Sequence, residues 1–368
     1  MNTYWIYIAL SFVLSMLSGF MLMPRITDFC LKRKLYDMPN ERKVHHNAIP
    51  RLGGVAFMPC MLLAFLVSIY VFRSVTNGLP ITISLWTTAF IASLFMIYII
   101  GLVDDMVGLG ARLKFIVQIV AAAILPMCNL YINDMYGFCG VGEVSFAVGA
   151  FLTVLGIVYI SNAINLIDGI DGLSGGLSLI ALTGFLVCFA RDGVWTYCVL
   201  IAGLMGVLCA YLYFNVWGSV EKRRKIFMGD SGSLTLGFIL GFLVVKFAMN
   251  PGSAAHYHSN GLLVGYTLLI VPCFDLVRVF FSRIRAHQGV FVPDKRHIHH
   301  KLLRLGLSQH KTLVVILLLQ LFFCAVNVFM SQCVSLTWIV VADVALFTAF
   351  HLWLNVIIRR KEAVGTDC

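Results

Sequence analysis

Charged residues are scarce in this chain. Asp, Glu, Lys and Arg make up 12% of its 368 residues, whereas soluble domains carry roughly a quarter. Hydrophobic residues make up 60% of the chain, and the mean hydropathy is +0.92. Polar interruptions are missing over stretches of about 20 residues, which is enough for a helix to cross a hydrocarbon core. Because these stretches are apolar on every face, they predict an all-α polytopic membrane protein rather than a soluble one.

Several other features are also missing. No Lys or Arg precedes the first apolar stretch and no small-residue cleavage site follows it, so a cleavable signal peptide is not expected. The eleven cysteines form no CxxC pair and most lie inside apolar stretches, which argues against a disulfide framework or a cysteine-based zinc site. There is no internal repeat, low-complexity segment or soluble stretch. Residues 1–368 are therefore predicted to form a single integral membrane domain.

The apolar stretches predict eleven membrane spans, at residues 4–23, 53–72, 84–103, 114–132, 146–164, 173–190, 195–215, 233–249, 261–281, 312–331 and 335–358. Of the 27 Lys and Arg residues, 23 fall in the loops and tail on one side of these spans. By the positive-inside rule that side is cytoplasmic, with the N-terminus outside and the C-terminus inside. The net charge of +10 then reflects insertion and attraction to the anionic lipid bilayer, and nucleic-acid binding is not expected.

The first cytoplasmic loop, residues 37–54, is rich in basic residues and contains two prolines and a Gly-Gly pair. Lys43 and Arg51 are candidates for binding phosphate, and Gly53-Gly54 would allow the backbone to approach a ligand closely. The alternative is an ordinary basic loop that only fixes the orientation of the protein.

The second loop begins with Asp104-Asp105 at the end of an apolar span. Adjacent carboxylates at this depth are costly unless they are hydrated, paired or metal-bound, and their repulsion suits one of them to accept a proton. Lys114 follows and is a candidate for phosphate binding. The alternative is a pair of acids that simply ends the span in the headgroup region.

Two further segments carry oxygen ligands at the membrane interface. Asn162, Asn165, Asp168 and Asp171 recur every three residues, and Asp230 precedes another apolar span. Carboxylate and amide oxygens suit Mg²⁺, which keeps several waters and substrate phosphates in its coordination shell. A structural Asn/Asp turn and a helix N-cap remain the alternatives.

The longest cytoplasmic loop contains a dense group of donors, Arg296, His297, His299, His300 and Lys301. A zinc site is one interpretation, but the His-Ile-His-His order lacks the HExxH helix spacing and no cysteine or acid completes the set. Binding of a diphosphate fits better beside the carboxylates of the other loops.

Acids for a hard cation and bases for phosphates thus gather on one predicted membrane face. This arrangement predicts phosphoryl transfer at the interface between a water-soluble and a lipid-dissolved substrate. An ion-coupled transporter is the first alternative, since acids inside membranes are its usual sign. A CDP-alcohol phosphotransferase is the second, although Asp168-Gly here continues Ile-Asp-Gly-Leu and lacks the Ala-Arg of that signature.

The five segments, in this order and on one side, resemble the polyprenyl-phosphate N-acetylhexosamine-1-phosphate transferase family (glycosyltransferase 4 type) over about residues 20–310. The His-Ile-His-His-Lys run at 297–301 is similar to the bacterial undecaprenyl-phosphate GlcNAc-1-phosphate branch. The phospho-MurNAc-pentapeptide branch instead has three histidines followed by Phe-Glu. The chain departs from the family in residues 216–225, where a longer charged segment replaces a short Pro-containing link.

The resemblance implies a helical bundle around a cleft on the cytoplasmic face of the bacterial inner membrane. It implies transfer of a HexNAc 1-phosphate, in this branch GlcNAc, from a UDP-sugar to undecaprenyl phosphate. The products would be undecaprenyl-diphosphate-HexNAc and UMP, in the first membrane step of cell-surface polysaccharide synthesis. Mg²⁺ or Mn²⁺ would be the cofactor, and a homodimer is left open.

The resemblance also implies roles for individual residues. The metal ligands would be Asp230, Asn165 and Asp168, and the catalytic acids Asp104, Asp105 and Asp168. Asp104 and Asp105 would bind or deprotonate the lipid phosphate. The remaining substrate-binding residues would be Lys43, Arg51, Lys114, Asp171, Asn215, Phe227, Arg296, His297, His299 and His300.

Overall fold

The computed structural model describes residues 2–37, 48–76, 85–250, 260–289 and 295–365. Over these ranges the chain forms thirteen α-helices, a short 3-10 helix at Gly53–Ala56 and two small antiparallel hairpins. The helices are α1 Asn2–Arg33, α2 Phe57–Thr76, α3 Leu85–Val107, α4 Ala111–Met127, α5 Phe146–Ile167, α6 Leu173–Arg191, α7 Trp195–Val216, α8 Gly229–Ala248, α9 Gly261–Leu268, α10 Ile270–Arg285, α11 Ile298–Arg304, α12 Gln309–Met330 and α13 Leu336–Gly365. The hairpins are β1 Tyr36–Asp37 with β2 Ile49–Pro50 and β3 Asp134–Phe138 with β4 Val141–Glu143.

The prediction of an all-α polytopic membrane protein is confirmed. Among the described residues nine helices are long and apolar enough to cross a membrane, and the bent pair α9 and α10 would make a tenth if it counts as one broken span. The predicted span 114–132 corresponds to α4, which has 17 residues and is not among these helices. At 1.5 Å per residue, a helix of that length reaches only about 26 Å.

The predicted continuous span 261–281 is bent by 71° between α9 and α10. Pro272 lies in the first turn of α10 and has no backbone N–H to continue the hydrogen-bond ladder from α9. The side chain of Gln320 serves both sides of the break. Its Oε1 accepts from the Val271 N–H at 3.1 Å, and its Nε2 donates to the Thr267 carbonyl at 2.9 Å. Freed backbone groups need such partners inside a membrane.

Helix α8 lies at the centre of the bundle. Within its most apolar stretch 94% of the residues are buried, against 22% for α12 and 28% for α13. The N-terminus of α8 is packed closely against two other backbones: a side chain on Gly54 would collide with the backbone of Gly232, and one on Gly101 with that of Ser231. Glycine at these positions therefore allows direct backbone contact.

The polar motifs gather at one end of the bundle, here called the carboxylate end and defined by Asp104, Asp168 and Asp230. Helix α5 runs from the β3–β4 hairpin to the motif at 165–171, and its 22 residues correspond to about 33 Å. At the other end, the Tyr136 hydroxyl of the hairpin donates to the Ala248 carbonyl at 2.7 Å. The amide of Cys139 donates to Thr337 Oγ1, also at 2.7 Å. The hairpin and the start of α13 therefore lie opposite the carboxylate end.

The orientation of this bundle remains a prediction, and two native cysteines test it. Cys139 and Cys333 are exposed at the hairpin end, whereas the other described cysteines are buried or half-buried. The positive-inside assignment places both outside the cell. An impermeant maleimide should label the protein in intact cells, and a Cys139→Ser/Cys333→Ser variant should lose that labelling. Labelling of these two cysteines only after permeabilisation would reverse the topology.

Candidate active site

The carboxylate of Asp105 holds the first turn of α8. Its Oδ1 accepts from the Asp230 N–H and its Oδ2 from the Ser231 N–H, both at 2.9 Å. The first amides of a helix have no partner within the helix, so an acceptor here stabilises the N-terminus. Asp105 is 3% exposed, and Gly229 beside it has φ +73° and no room for a side chain. This contact fixes the position of Asp230.

A cluster of carboxylates surrounds that turn. Ligand oxygens of Asp104, Asp105 and Asp230 lie within 4.8 Å of one another. The Lys114 ammonium lies 3.1 Å from Asp104 Oδ2 and 2.6 Å from Asp230 Oδ2. Asn165 donates to Asp230 Oδ1 at 3.1 Å. Five of the predicted residues, from the four helices α3, α4, α5 and α8, are thus brought together.

Asp168 directly follows α5 and belongs electrostatically to the same cluster. Burial, together with the negative charges of Asp171, Asp230 and Asp105, raises the pKa of its carboxyl to about 7. Loss of hydration and like charges both disfavour the ionised form. The structure therefore brings Asn165 into contact with Asp230 and places Asp168 within electrostatic range of it. These side chains, with Asp104, Asp105 and Lys114, are here called the pocket.

Asp171 and Asn215 are joined by a residue of the charged segment. Lys225 Nζ lies 2.6 Å from Asp171 Oδ2 and donates to the Asn215 carbonyl at 2.5 Å. The Asn215 amide is buried: it accepts from the Gly172 N–H at 2.7 Å and donates to the Ile226 carbonyl at 3.0 Å. In the structure Asn215 thus links the 169–172 turn to the segment before α8, and a nucleotide contact of its side chain stays a prediction.

The first and fourth motifs meet through their backbones. The Phe227 N–H donates to the Pro50 carbonyl at 2.7 Å, and the Phe227 carbonyl accepts from the Gly53 N–H at 2.9 Å. Arg51 has a buried Nε with no hydrogen-bond partner among the described residues, and such donors are normally satisfied. A bound anion would satisfy it. Lys43, the other predicted cation of this loop, lies outside the described residues.

The histidine motif forms the short helix α11, with His297 at its N-cap. His299 is 1% exposed, and neither ring nitrogen has a hydrogen-bond partner among the described residues. Its ring lies against Gly169 so closely that a Cβ there would collide with Nε2. Burial and the neighbouring His300 lower the pKa of His299 to about 3, so the ring is neutral at pH 7. The histidine motif therefore contacts the 165–171 motif directly.

The other predicted members of this loop face different neighbours. The ring centroids of His299 and His300 lie 4.2 Å apart. Arg296 donates to the Ser282 carbonyl at 2.7 Å and to Gln288 Oε1 at 2.9 Å, which directs it to the end of α10. Its contact with a diphosphate stays a prediction.

Sequence reasoning missed Asp275, which is fully buried in α10 and binds His297 Nδ1 at 2.8 Å. It also missed Lys225 as the partner of Asp171. For Asp275 a signal was present, because an acid inside an apolar span is costly and marks a functional site by default.

The donor set of the pocket fits a hard divalent cation. Asp104 and Asp230 contact the Lys114 ammonium, and Asp171 contacts the Lys225 ammonium. Asp105 and Asp168 add two further carboxyl groups with no lysine partner among the described residues. Partly buried negative charge of this kind is costly without a counter-ion. Oxygen ligands suit Mg²⁺ or Mn²⁺ better than softer metals.

Comparison with known proteins bears on this geometry. The model of glycosyl transferase family 4 matches residues 86–248, which include α3 to α8 and every carboxylate of the pocket. A "Probable undecaprenyl-phosphate N-acetylglucosaminyl 1-phosphate transferase" of Bacillus subtilis is 33% identical over 325 residues, covering 86% of this chain and 83% of the relative. The chain belongs to glycosyl transferase family 4. Membership confirms the resemblance drawn from the five motifs and favours a transferase over a transporter.

More distant relatives of this family 4 protein carry a similar name. "Undecaprenyl-phosphate alpha-N-acetylglucosaminyl 1-phosphate transferase" of Yersinia pestis is 27% identical over 320 residues, covering 86% of this chain and 81% of the relative. The protein of that name from Escherichia coli strain K12 is 26% identical over 296 residues, covering 80% and 76%. Similarity to these proteins therefore extends well beyond residues 86–248.

Proposed function

We propose that this family 4 protein transfers GlcNAc 1-phosphate from UDP-GlcNAc to undecaprenyl phosphate. The products are undecaprenyl-diphosphate-GlcNAc and UMP. The observation that carries the proposal is the pocket at the carboxylate end, where Asp104, Asp230 and Lys114 meet at the end of membrane helices. The names of the similar bacterial proteins support the choice of lipid and sugar.

In the proposed reaction an oxygen of the lipid phosphate attacks the phosphorus that carries the sugar. A new P–O bond forms there, and the bond from that phosphorus to the oxygen bridging the diphosphate breaks. The electron pair leaves with UMP, so atoms and charge balance. A phosphate dianion needs no protein nucleophile, and we therefore favour direct attack over a covalent aspartyl intermediate. Catalysis then consists of positioning and charge stabilisation.

The chain's own groups divide this work. Asp230, Asn165 and Asp168 would hold Mg²⁺ or Mn²⁺, which when bound neutralises charge on the diphosphate. Lys114, 2.6 Å from Asp230, provides a fixed cation beside the same phosphates. Asp104 has one oxygen on Lys114 and the other on the Leu109 N–H, so its carboxylate is oriented for the incoming lipid phosphate.

Other groups surround the substrate. The Nε of Arg51, which has no partner among the described residues, is a donor for the diphosphate, and the neutral ring of His299 supplies a hydrogen bond to the sugar or phosphate. Asp171, held by Lys225, lies in the segment proposed to meet the nucleotide. We place the carboxylate end at the cytoplasmic face of the bacterial plasma membrane, where UDP-sugars occur, and a homodimer stays a prediction.

The test is an assay of the purified protein in detergent with undecaprenyl phosphate and a panel of radiolabelled UDP-sugars. The expected result is one labelled lipid, from UDP-GlcNAc, with an equal amount of UMP, and complete loss of product in EDTA that Mg²⁺ restores. Full activity in EDTA would contradict the metal assignment. Uptake of a labelled solute into proteoliposomes in unchanged form, without formation of UMP, would favour the transporter alternative.

A further inference from the structure

A fully buried carboxylate links α10 to the start of the histidine helix α11. Asp275 is 0% exposed. Its Oδ1 lies 2.7 Å from Arg278 Nη2 and accepts from the Ile298 N–H at 3.1 Å. Its Oδ2 lies 2.8 Å from His297 Nδ1. Both oxygens are thus occupied, and two of the three partners belong to the segment that leads into α11.

Arg278 extends the same connection by one residue. Its Nη2 also donates to the Arg296 carbonyl at 2.5 Å. Residues 296 to 298 are therefore held by the side chains of Asp275 and Arg278, which lie one turn apart on α10. Burial of such an ion pair is costly, and it is weak evidence for stability by itself. Its value here lies in the geometry that it imposes on α11.

The contact also determines how His297 presents its ring. An ionised carboxylate only accepts hydrogen bonds, so the proton of His297 on this side is on Nδ1. Nε2 is then the nitrogen left for another partner. The rings of His297 and His299 are nearly parallel, with centroids 5.8 Å apart. Fixing His297 and the Ile298 amide therefore also places His299 against Gly169.

We propose that Asp275 is a positioning residue for the transfer reaction, acting through His297 and the first turn of α11. This inference rests on the proposed function for its reaction but on the Asp275 contacts for its geometry. Partners that orient a histidine from outside the reacting shell commonly change activity by about 10- to 100-fold when they are removed. Asp275→Asn keeps the size of the side chain and removes its charge.

The chain offers a matched control in another fully buried carboxylate. Asp343 in α13 is also 0% exposed, and it accepts from the Tyr266 hydroxyl at 2.9 Å and from Asn327 Nδ2 at 2.8 Å. Its hydrogen-bond partners among the described residues lie on α9 and α12 rather than on α11. If both acids are purely structural, Asp275→Asn and Asp343→Asn should change kcat and hydrogen exchange in the same way. If Asp275 is a positioning residue, the two variants should differ in both measurements.

The experiment measures kcat, KM and hydrogen exchange for Asp275→Asn, Asp343→Asn, His297→Asn and the Asp275→Asn/His297→Asn double variant. Asp275→Asn should lower kcat about 30-fold with KM for the UDP-sugar within about threefold, because binding is retained and placement is lost. The double variant should be no slower than His297→Asn alone, since the two changes remove one interaction. Amides of residues 297–302 should exchange about tenfold faster in the variants that carry Asp275→Asn, and at the wild-type rate in Asp343→Asn.

Two outcomes overturn the inference: exchange in residues 297–302 that is unchanged by Asp275→Asn, or kinetic costs that add in the double variant. If Asp275→Asn does not accumulate in membranes, His297→Ala and His299→Ala replace it. Only His297→Ala should then speed exchange at Ile298, and equal exchange in both would overturn the inference. Absence of transferase activity in wild-type protein would instead overturn the proposed function, while the exchange result would still test the Asp275 contacts.

Discussion

Asp230→Asn should lower kcat by about 10³-fold or more, because one change removes a metal ligand and the counter-charge of Lys114. Asp230 Oδ2 lies 2.6 Å from Lys114, and Oδ1 accepts from Asn165 at 3.1 Å. An asparagine in this place keeps the shape of the side chain but provides one neutral oxygen. The backbone of α8 should hold its position, because the Asp105 contacts are to main-chain amides.

The measurement compares initial rates at equal amounts of inserted protein, with the metal dependence of each variant. Asp134→Asn is the control, since Asp134 is a buried acid at the opposite end of the bundle and accepts from the Tyr136 amide at 2.7 Å. It should keep wild-type kcat. Near-normal turnover of Asp230→Asn would contradict the assignment of this pocket as the reaction centre.

His299→Ala should lower kcat/KM by about 10²-fold, the usual cost of losing one donor that stabilises a charged transition state. The ring is buried, neutral and without a partner for either nitrogen among the described residues. A buried polar group in this state is costly and is expected to meet a substrate group. Asn or Gln at position 299 should restore part of the rate, since an amide still donates one hydrogen bond.

Metal analysis separates this role from a zinc site. The account predicts no stoichiometric zinc in the wild type and no change of bound metal in His299→Ala. Among the described residues, the grouping with metal-ligand spacing is the carboxylate cluster of Asp104, Asp105 and Asp230, without a histidine. His351→Ala controls for the effect of simply removing a buried histidine ring. His351 is 4% exposed in α13 and lies beside Lys301. If the wild type holds about one tightly bound zinc per chain and His299→Ala loses it, the hydrogen-bonding role of His299 is contradicted.

Most of the helices and the chemistry of the pocket were predictable from the sequence. A membrane requires long apolar stretches, so the predicted span 195–215 matches α7, Trp195–Val216, within one residue at each end. Acids at the ends of such stretches are costly. Asp104, Asp168 and Asp230 therefore stood out. In the structure Asp104 and Asp230 belong to one carboxylate cluster, and Asp168 interacts electrostatically with Asp230.

Other features depend on contacts between distant residues and were not predicted. At the break between α9 and α10, the backbone groups left free are hydrogen-bonded by Gln320, which lies about 50 positions later in the chain. The only feature of the sequence that indicates a break there is Pro272. Asp105 was predicted as a catalytic acid, but the geometry shows both oxygens on the backbone of α8, a contact across 125 positions. Linear motifs identify which residues carry charge, whereas tertiary packing determines which of those charges remain free for a ligand.

The most direct test of the proposed function follows the phosphorus of the sugar phosphate. Purified protein is incubated with undecaprenyl phosphate, Mg²⁺ and UDP-GlcNAc labelled with ³²P at the phosphorus that bears the sugar. The account predicts that the label enters the lipid in a one-to-one ratio with released UMP, since the bond broken is the diphosphate bond. Label that remains in released UDP, with the sugar alone on the lipid, would contradict it.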